Sequence, residues 1–252
     1  MSETPAWEHI DVTRRDDIVE LRFHTGGDSL VWDADAHREI TEAFHWLAMV
    51  RDVKVVLITG TGDTYCAELD VASFAGVPWA DIWWEGKRML EGINNLNIPI
   101  IAGVNGPATV HSEIPVMADL VVAAEHTVFA DRCHFATRGT VPGDGVNLVW
   151  AELLGPTRAK YFLLLGTTID AAEALRLGVV NEVVPAGDLH SRVWALAREL
   201  AARELPVLRY AKAAVSVGFR QNFSENLSHS LGIEGAAHWS RGGIRPTRIE
   251  GS

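Results

Sequence analysis

Two periodicities divide the chain. In the first half, short runs of consecutive apolar residues at 18–23 and 53–59 read as strands, and the second (Val-Lys-Val-Val-Leu-Ile-Thr) closes on Gly60-Thr61-Gly62. Between them, residues 35–50 carry Ile40, Phe44, Leu47 and Val50 on one helical stripe. A second amphipathic helix is predicted over 83–96, stopped by Asn97-Ile98-Pro99. The uncharged run 98–104 reads as a strand ending at the turn signal Asn105-Gly106-Pro107, and 120–124 and 127–130 as two more buried strands. From Val146 onward the spacing is almost wholly helical, over 146–154, 158–165, 171–177, 190–203, 207–217 and 223–239. Strands alternating with helices, then a run of helices, predict an α/β body with a helical C-terminal extension. Residues 241–252 lack an apolar pattern and read as a mobile tail.

Composition narrows the function classes. Of 252 residues, 48% are hydrophobic and 22% charged, enough apolar surface for one large core. Lys and Arg number 22 against 33 Asp and Glu, a net charge of −11. That balance argues against a nucleic-acid binder, whose affinity comes from clustered cations, and against docking on an anionic membrane. Cys66 and Cys133 make neither a disulfide framework nor a metal-ligand spacing. No signal-peptide pattern opens the chain and no apolar stretch approaches the ~20 residues of a membrane span, so the reading is a cytoplasmic protein. Nine tryptophans and ten histidines are the unusual features.

Four segments, in order, resemble the crotonase (enoyl-CoA hydratase/isomerase) superfamily. They are Val-Val-Leu-Ile-Thr-Gly at 55–60 with Tyr-Cys-Ala-Glu-Leu-Asp at 65–70, Pro-Ile-Ile-Ala-Gly-Val-Asn-Gly-Pro-Ala at 99–108, Ala-Asp-Leu-Val-Val-Ala-Ala-Glu at 118–125, and Gly166 with 171–184. The resemblance implies a spiral of ββα units over 1–190, then a C-terminal helical region over 191–240 that builds homotrimers, often paired as hexamers. The departures are as informative. Where the superfamily carries glycines that let a backbone N–H reach a thioester oxygen, this chain has Val110-His111-Ser112, and Glu68 replaces the glycine of the other half of that oxyanion hole. The hydratases' Pro-Glu is absent; His134-Phe135 and then Gly139-Thr-Val-Pro-Gly-Asp144 occupy that stretch.

This pattern is similar to the β-diketone hydrolase branch, whose type enzyme is 6-oxocamphor hydrolase. The match runs through Ser29-Leu-Val-Trp32 with His37, Glu113-Ile-Pro-Val-Met-Ala-Asp119, His134-Phe135, Val141-Pro-Gly-Asp-Gly145, Tyr161-Phe-Leu-Leu164, and the helix bearing Leu231 and Glu234. The resemblance implies hydrolytic C–C cleavage of a cyclic or bicyclic 1,3-diketone, a retro-Claisen reaction, with no coenzyme A and no other cofactor. The ten steps from His134 to Asp144 are one more than that branch has.

The candidate residues follow. Water needs a base to attack a ketone near neutral pH, and imidazole titrates in the right range. His134 is the candidate base, with Asp144 holding its tautomer. Spacing alone would make His134 a loop residue and Asp144 a turn residue between Gly143 and Gly145; the resemblance favours the pair. His111 and Trp32 are expected to donate N–H groups to a developing oxyanion, replacing lost backbone donors. Glu234 reads from its helix as a solvated edge but from the resemblance as a site-lining acid. His37, at helical spacing with Ile40 and Phe44, reads as a buried histidine or a site neighbour, and Phe74 as pocket wall. Trp79, Trp83 and Trp84 suit a pocket, a core or an interface equally. No histidine pair has the i, i+4 spacing of a helical metal site, so no metal is expected. The rival readings are an acyl-CoA hydratase, isomerase or hydrolase with an altered site, and a crotonase-like assembly protein without activity.

Overall fold

A computed structural model describes residues 5–240; the tail read at 241–252 lies outside them. The chain opens with a hairpin, β1 (Ile10–Arg15) and β2 (Ile18–Phe23), paired antiparallel from Ile10 opposite Phe23 to Arg15 opposite Ile18. β1 was not apparent in the sequence because it is an edge strand, half exposed, without an apolar run. A three-residue strand, β3 (Leu30–Trp32), leads into α1 (Ala34–Met49), whose first turn is capped by the Asp33 carboxylate accepting from the Ala36 amide. α1 buries Ala36, Ile40, Ala43, Phe44 and Leu47, the stripe seen in the sequence.

β4 (Val55–Gly60) and β5 (Cys66–Leu69) follow, then α2 (Trp79–Asn95). α2 starts four residues earlier than its periodicity suggested, at Trp79, directly after Pro78. β6 (Ile100–Val104) begins only after Pro99, which has no amide to give to the ladder. A single helical turn, α3 (Glu113–Val116), precedes β7 (Leu120–Ala124) and the two-residue β8 (Val128–Phe129). Another single turn, α4 (Phe135–Arg138), precedes α5 (Val146–Leu165). α5 is broken at Gly155-Pro156, where Gly155 leaves helical geometry (φ 73°, ψ 160°), as the two predicted helices imply. The remainder is β9 (Ile169–Asp170), α6 (Ala171–Leu177), β10 (Glu182–Val184), α7 (Leu189–Ala201), α8 (Leu205–Val215) and α9 (Val217–Ser240).

Six strands form the main sheet in the order β1-β2-β4-β6-β7-β10, parallel after the first pair. A second layer is assembled from short pieces: β3 with β5, β8 with β9, and Ala108 bridging β5 to β8. The main sheet buries one face against Leu189, Val193, Trp194 and Ala197 of α7. Its other face joins the larger core with α1, α2 and α5, to which α9 adds Phe223, Leu227 and Leu231. This is the α/β body with a helical C-terminal region that the sequence pattern predicts. Among the described residues no helix is long and apolar enough to cross a membrane.

Candidate active site

Short elements of the second layer converge on one buried polar cluster. Trp32 closes β3, and α1 begins two residues later, so His37 lies one turn into the helix behind the indole. The His37 ring meets Trp32 edge-on at 5.8 Å and Phe74 at 6.1 Å. Its Nε2–H donates to the Ile82 carbonyl at 3.3 Å. Burial, then the nearby His111 charge, push its pKa down to about 4, so it is a neutral wall residue near pH 7. Trp32 is 2% exposed, and its indole N–H is buried with no hydrogen-bond partner among the described residues.

His111 stands over that indole, with ring centroids 4.1 Å apart. The chain reaches it from β6 through Thr109 and Val110, whose amides both donate to the Cys66 carbonyl of β5. His111 has φ 48°, a left-handed conformation that a side chain adopts at a cost. The backbone geometry of a glycine is thus kept while an imidazole occupies the space. Its Nδ1 lies 2.8 Å from Glu113 Oε1, on the first residue of α3, and 3.4 Å from Asp144 Oδ2.

His134 sits just before α4. Nδ1 donates to Asp131 Oδ1 at 2.9 Å, and Nε2 faces Asp144 Oδ2 at 3.3 Å and Glu234 Oε1 at 3.8 Å. Between His134 and Asp144 the chain makes the α4 turn, which Gly139 closes in left-handed conformation (φ 64°). Gly143 then presses onto α9: a Cβ there would lie 2.5 Å from both Glu234 Cβ and the Ser230 carbonyl. Only glycine permits that approach, which brings Asp144 back to His134 and Glu234 beside both. The side chains of His134 and Glu234 keep 6% and 8% exposure, those of His111 and Asp144 12% and 16%, so the cluster opens over the latter pair.

Charge is distributed unequally. For His134, burial favours the neutral ring, but the Asp144 charge and hydrogen bonds to Asp131 and Asp144 outweigh it and hold its pKa well above the usual histidine range. Burial likewise opposes ionisation of Asp144, yet the His134 charge and hydrogen bond, then His111, keep it well below the usual carboxylate range. Burial also works against charge on His111, and Glu113 and Asp144 overcome it and raise its pKa. Burial and the Asp144 charge push Glu113 up as well, so both partners of the His111–Glu113 contact are biased toward their protonated forms. Burial, offset by a hydrogen bond from His238 and reinforced by Asp144, raises Glu234.

The structure therefore brings Trp32, His37, His111, His134, Asp144 and Glu234 into one cluster, with Phe74 behind His37. Trp79 lies further off, its ring tilted against His238 of α9, and Trp84 is half exposed. Two buried acids escaped the sequence reading, Glu113 and Asp131. Glu113 stood within a quoted motif, and Asp131 is three residues ahead of His134 with only that spacing to mark it. Two trios, His111–Glu113–Asp144 and His134–Asp144–Glu234, place ligand-type atoms within 4.8 Å of one another. Linear spacing was thus a poor guide to metal capacity, since these donors come from separate elements.

The enoyl-CoA hydratase/isomerase family profile matches residues 25–235. A protein of Mycobacterium leprae named "Probable enoyl-CoA hydratase" is 33% identical over 193 residues, 76% of this chain and 74% of its own length. Among solved structures, a β-diketone hydrolase from Anabaena sp. PCC 7120, bound to (S)-3-oxocyclohexyl acetic acid, superposes with a TM-score of 0.90 at 37% identity, covering 93% of this chain and 96% of its own. An enoyl-CoA hydratase/isomerase from Mycobacterium paratuberculosis shares the fold, with a TM-score of 0.84 at 24% identity over 91% of this chain and 93% of its own.

Proposed function

Because the chain belongs to the enoyl-CoA hydratase/isomerase (crotonase) family, we propose that it uses that family's frame to hydrolyse a C–C bond of cyclic or bicyclic 1,3-diketones. The observation that carries this reading is one carboxylate, Asp144, facing the imidazoles of both His134 and His111 at 3.3 and 3.4 Å. A base and an oxyanion donor are thereby held side by side, as attack by water on a ketone requires. The solved β-diketone hydrolase at 37% identity, with a keto acid bound, supports the substrate class.

In this mechanism water attacks one carbonyl carbon while its proton passes to Nε2 of His134. The developing oxyanion accepts from Trp32, whose N–H has no partner among the described residues, and from Nε2–H of His111, whose Nδ1 is engaged by Glu113. The tetrahedral intermediate collapses by releasing the bond to the central carbon. That electron pair passes into the second carbonyl as an enolate, and the proton on His134 returns to the carbon. The product is a keto acid, which loses a proton to solvent as it ionises. No coenzyme A and no metal enter the scheme, and the protein acts as a cytoplasmic homotrimer or hexamer. Exposed Tyr161, Leu164 and Leu165 on α5 offer apolar surface for that assembly.

An acyl-CoA enzyme is the rival, favoured by the names of the sequence relatives. The imidazole of His111 argues against it by filling the place where a backbone N–H would reach a thioester. Loss of the diketone's ultraviolet absorbance across a panel of ring sizes, run beside enoyl-CoA and acyl-CoA thioesters, tests the proposal. Turnover of thioesters alone would reject it.

A further inference from the structure

A histidine that takes a proton from water must keep its other nitrogen protonated and fixed. The family resemblance implies Asp144 for that orienting task, yet the two nitrogens of His134 meet different carboxylates. Asp131 lies after β8, 4% exposed, with Oδ1 accepting from both the Cys133 amide (3.1 Å) and Nδ1 of His134 (2.9 Å). This short contact, three residues along the chain, lies within the range of charge-assisted hydrogen bonds. Asp144 instead approaches Nε2, at a looser 3.3 Å, and shares its oxygen with His111 on the more open side of the cluster.

We infer that Asp131 is the positioning residue of His134, locking the Nδ1–H tautomer, and that Asp144 stands on the reacting side, beside the nitrogen that exchanges the proton. The inference rests on the hydrolase reading only for the identity of the reaction. In the step itself a water O–H bond breaks and the Nε2–H bond forms, while the other proton stays on Nδ1, donated to Asp131 throughout. Asp144, ionised and 3.3 Å from Nε2, stabilises the new imidazolium from the substrate side. The other groups facing His134 are Glu234 of α9 and, across Asp144, His111. Neither approaches Nδ1, which faces Asp131.

The test is nitrogen NMR on the ligand-free, histidine-labelled full chain, titrated through the His134 transition. The expected result is that Nε2 loses its proton as pH rises while Nδ1 remains protonated in slow exchange. Asp131→Asn should abolish the protected Nδ1 proton and lower the His134 midpoint. Asp144→Asn should lower the midpoint but leave the Nδ1 proton in place. With a diketone substrate, Asp131→Asn should lower kcat by about 100- to 10,000-fold, the span of a misplaced general base, with KM little changed, and Asp131→Glu should restore part of it. A wild-type ring that titrates at Nδ1, or loss of the Nδ1 proton in Asp144→Asn but not in Asp131→Asn, would overturn the assignment. The wild-type titration needs neither variant to fold nor any substrate. A protein that keeps the Nδ1 tautomer yet cleaves no diketone would therefore reject the hydrolase reading, not the tautomer assignment.

Discussion

Asp144 Oδ2 lies 3.3 Å from His134 Nε2, although nine residues, a full helical turn among them, lie between the two along the chain. If the pair acts as a unit, its losses do not multiply. His134→Ala and Asp144→Asn should each fold and each lose most of kcat, about 100- to 10,000-fold for a positioned base. The double variant should be scarcely worse than the poorer single one. Circular dichroism with steady-state kinetics checks this, and multiplicative losses would mean the two residues act separately.

The same contact sets the pH dependence. His134 is held protonated above its ordinary range, so the basic form it needs appears only as pH rises. The rate should therefore climb to a plateau with its midpoint above the ~6.5 of an unperturbed histidine, and that limb should be missing in His134→Ala. Stability runs the other way. A raised folded-state pKa stabilises fully below the unfolded value and is lost as pH rises through the folded one. Denaturant midpoints of the wild type should thus fall on the alkaline side, and those of His134→Ala should fall less.

At His111 chemistry and backbone can be separated. Removing the imidazole should cost about 100- to 1,000-fold in rate, as for one oxyanion donor, whether the replacement is alanine or glycine. Because φ is 48° there, His111→Gly should be more stable than His111→Ala by up to about 1 kcal/mol, relief of the left-handed Cβ outweighing glycine's greater chain freedom. Urea denaturation of the two variants reads this difference directly.

Gly143 tests how the catalytic loop is pinned. A Cβ at 2.5 Å from Glu234 Cβ and the Ser230 carbonyl cannot be accommodated without movement. Gly143→Ala should lose roughly 1–3 kcal/mol of stability, as overpacking does, and most activity as Asp144 shifts. Gly187→Ala, with nothing within 4 Å of its added carbon, should change neither.

Much of the fold could be read from the chain because its signals are local. The α1 stripe, the apolar run of β4 and the break at Gly155-Pro156 each depend on a few neighbouring residues. β3, β5, β9 and β10 were not legible: two to four residues are too few to show a period, and they exist only because their partners do. The candidate site divides in the same way. Its histidines were found through departures from a resembled family, while Glu113 and Asp131 were not, because a buried acid looks ordinary until the ring it faces is known. The opposite signs of the shifts on Asp144 and Glu113 likewise come from burial and from charges brought together by folding.

Metal dependence is a separate matter, since two trios of donors lie within 4.8 Å. In the proposed mechanism these atoms carry protons, so exhaustive dialysis against a chelator should leave kcat unchanged and added divalent ions should not raise it. Inactivation by chelator, reversed by one metal, would reassign the cluster.

The central claim is hydrolysis of a carbon–carbon bond, and product analysis reaches it most directly. A cyclic 1,3-diketone incubated with the protein in water enriched in heavy oxygen, then analysed by mass spectrometry, should yield the ring-opened keto acid with one labelled oxygen in its new carboxylate. Failure of every diketone to open, together with hydration or hydrolysis of a coenzyme A thioester by the same preparation, would contradict it.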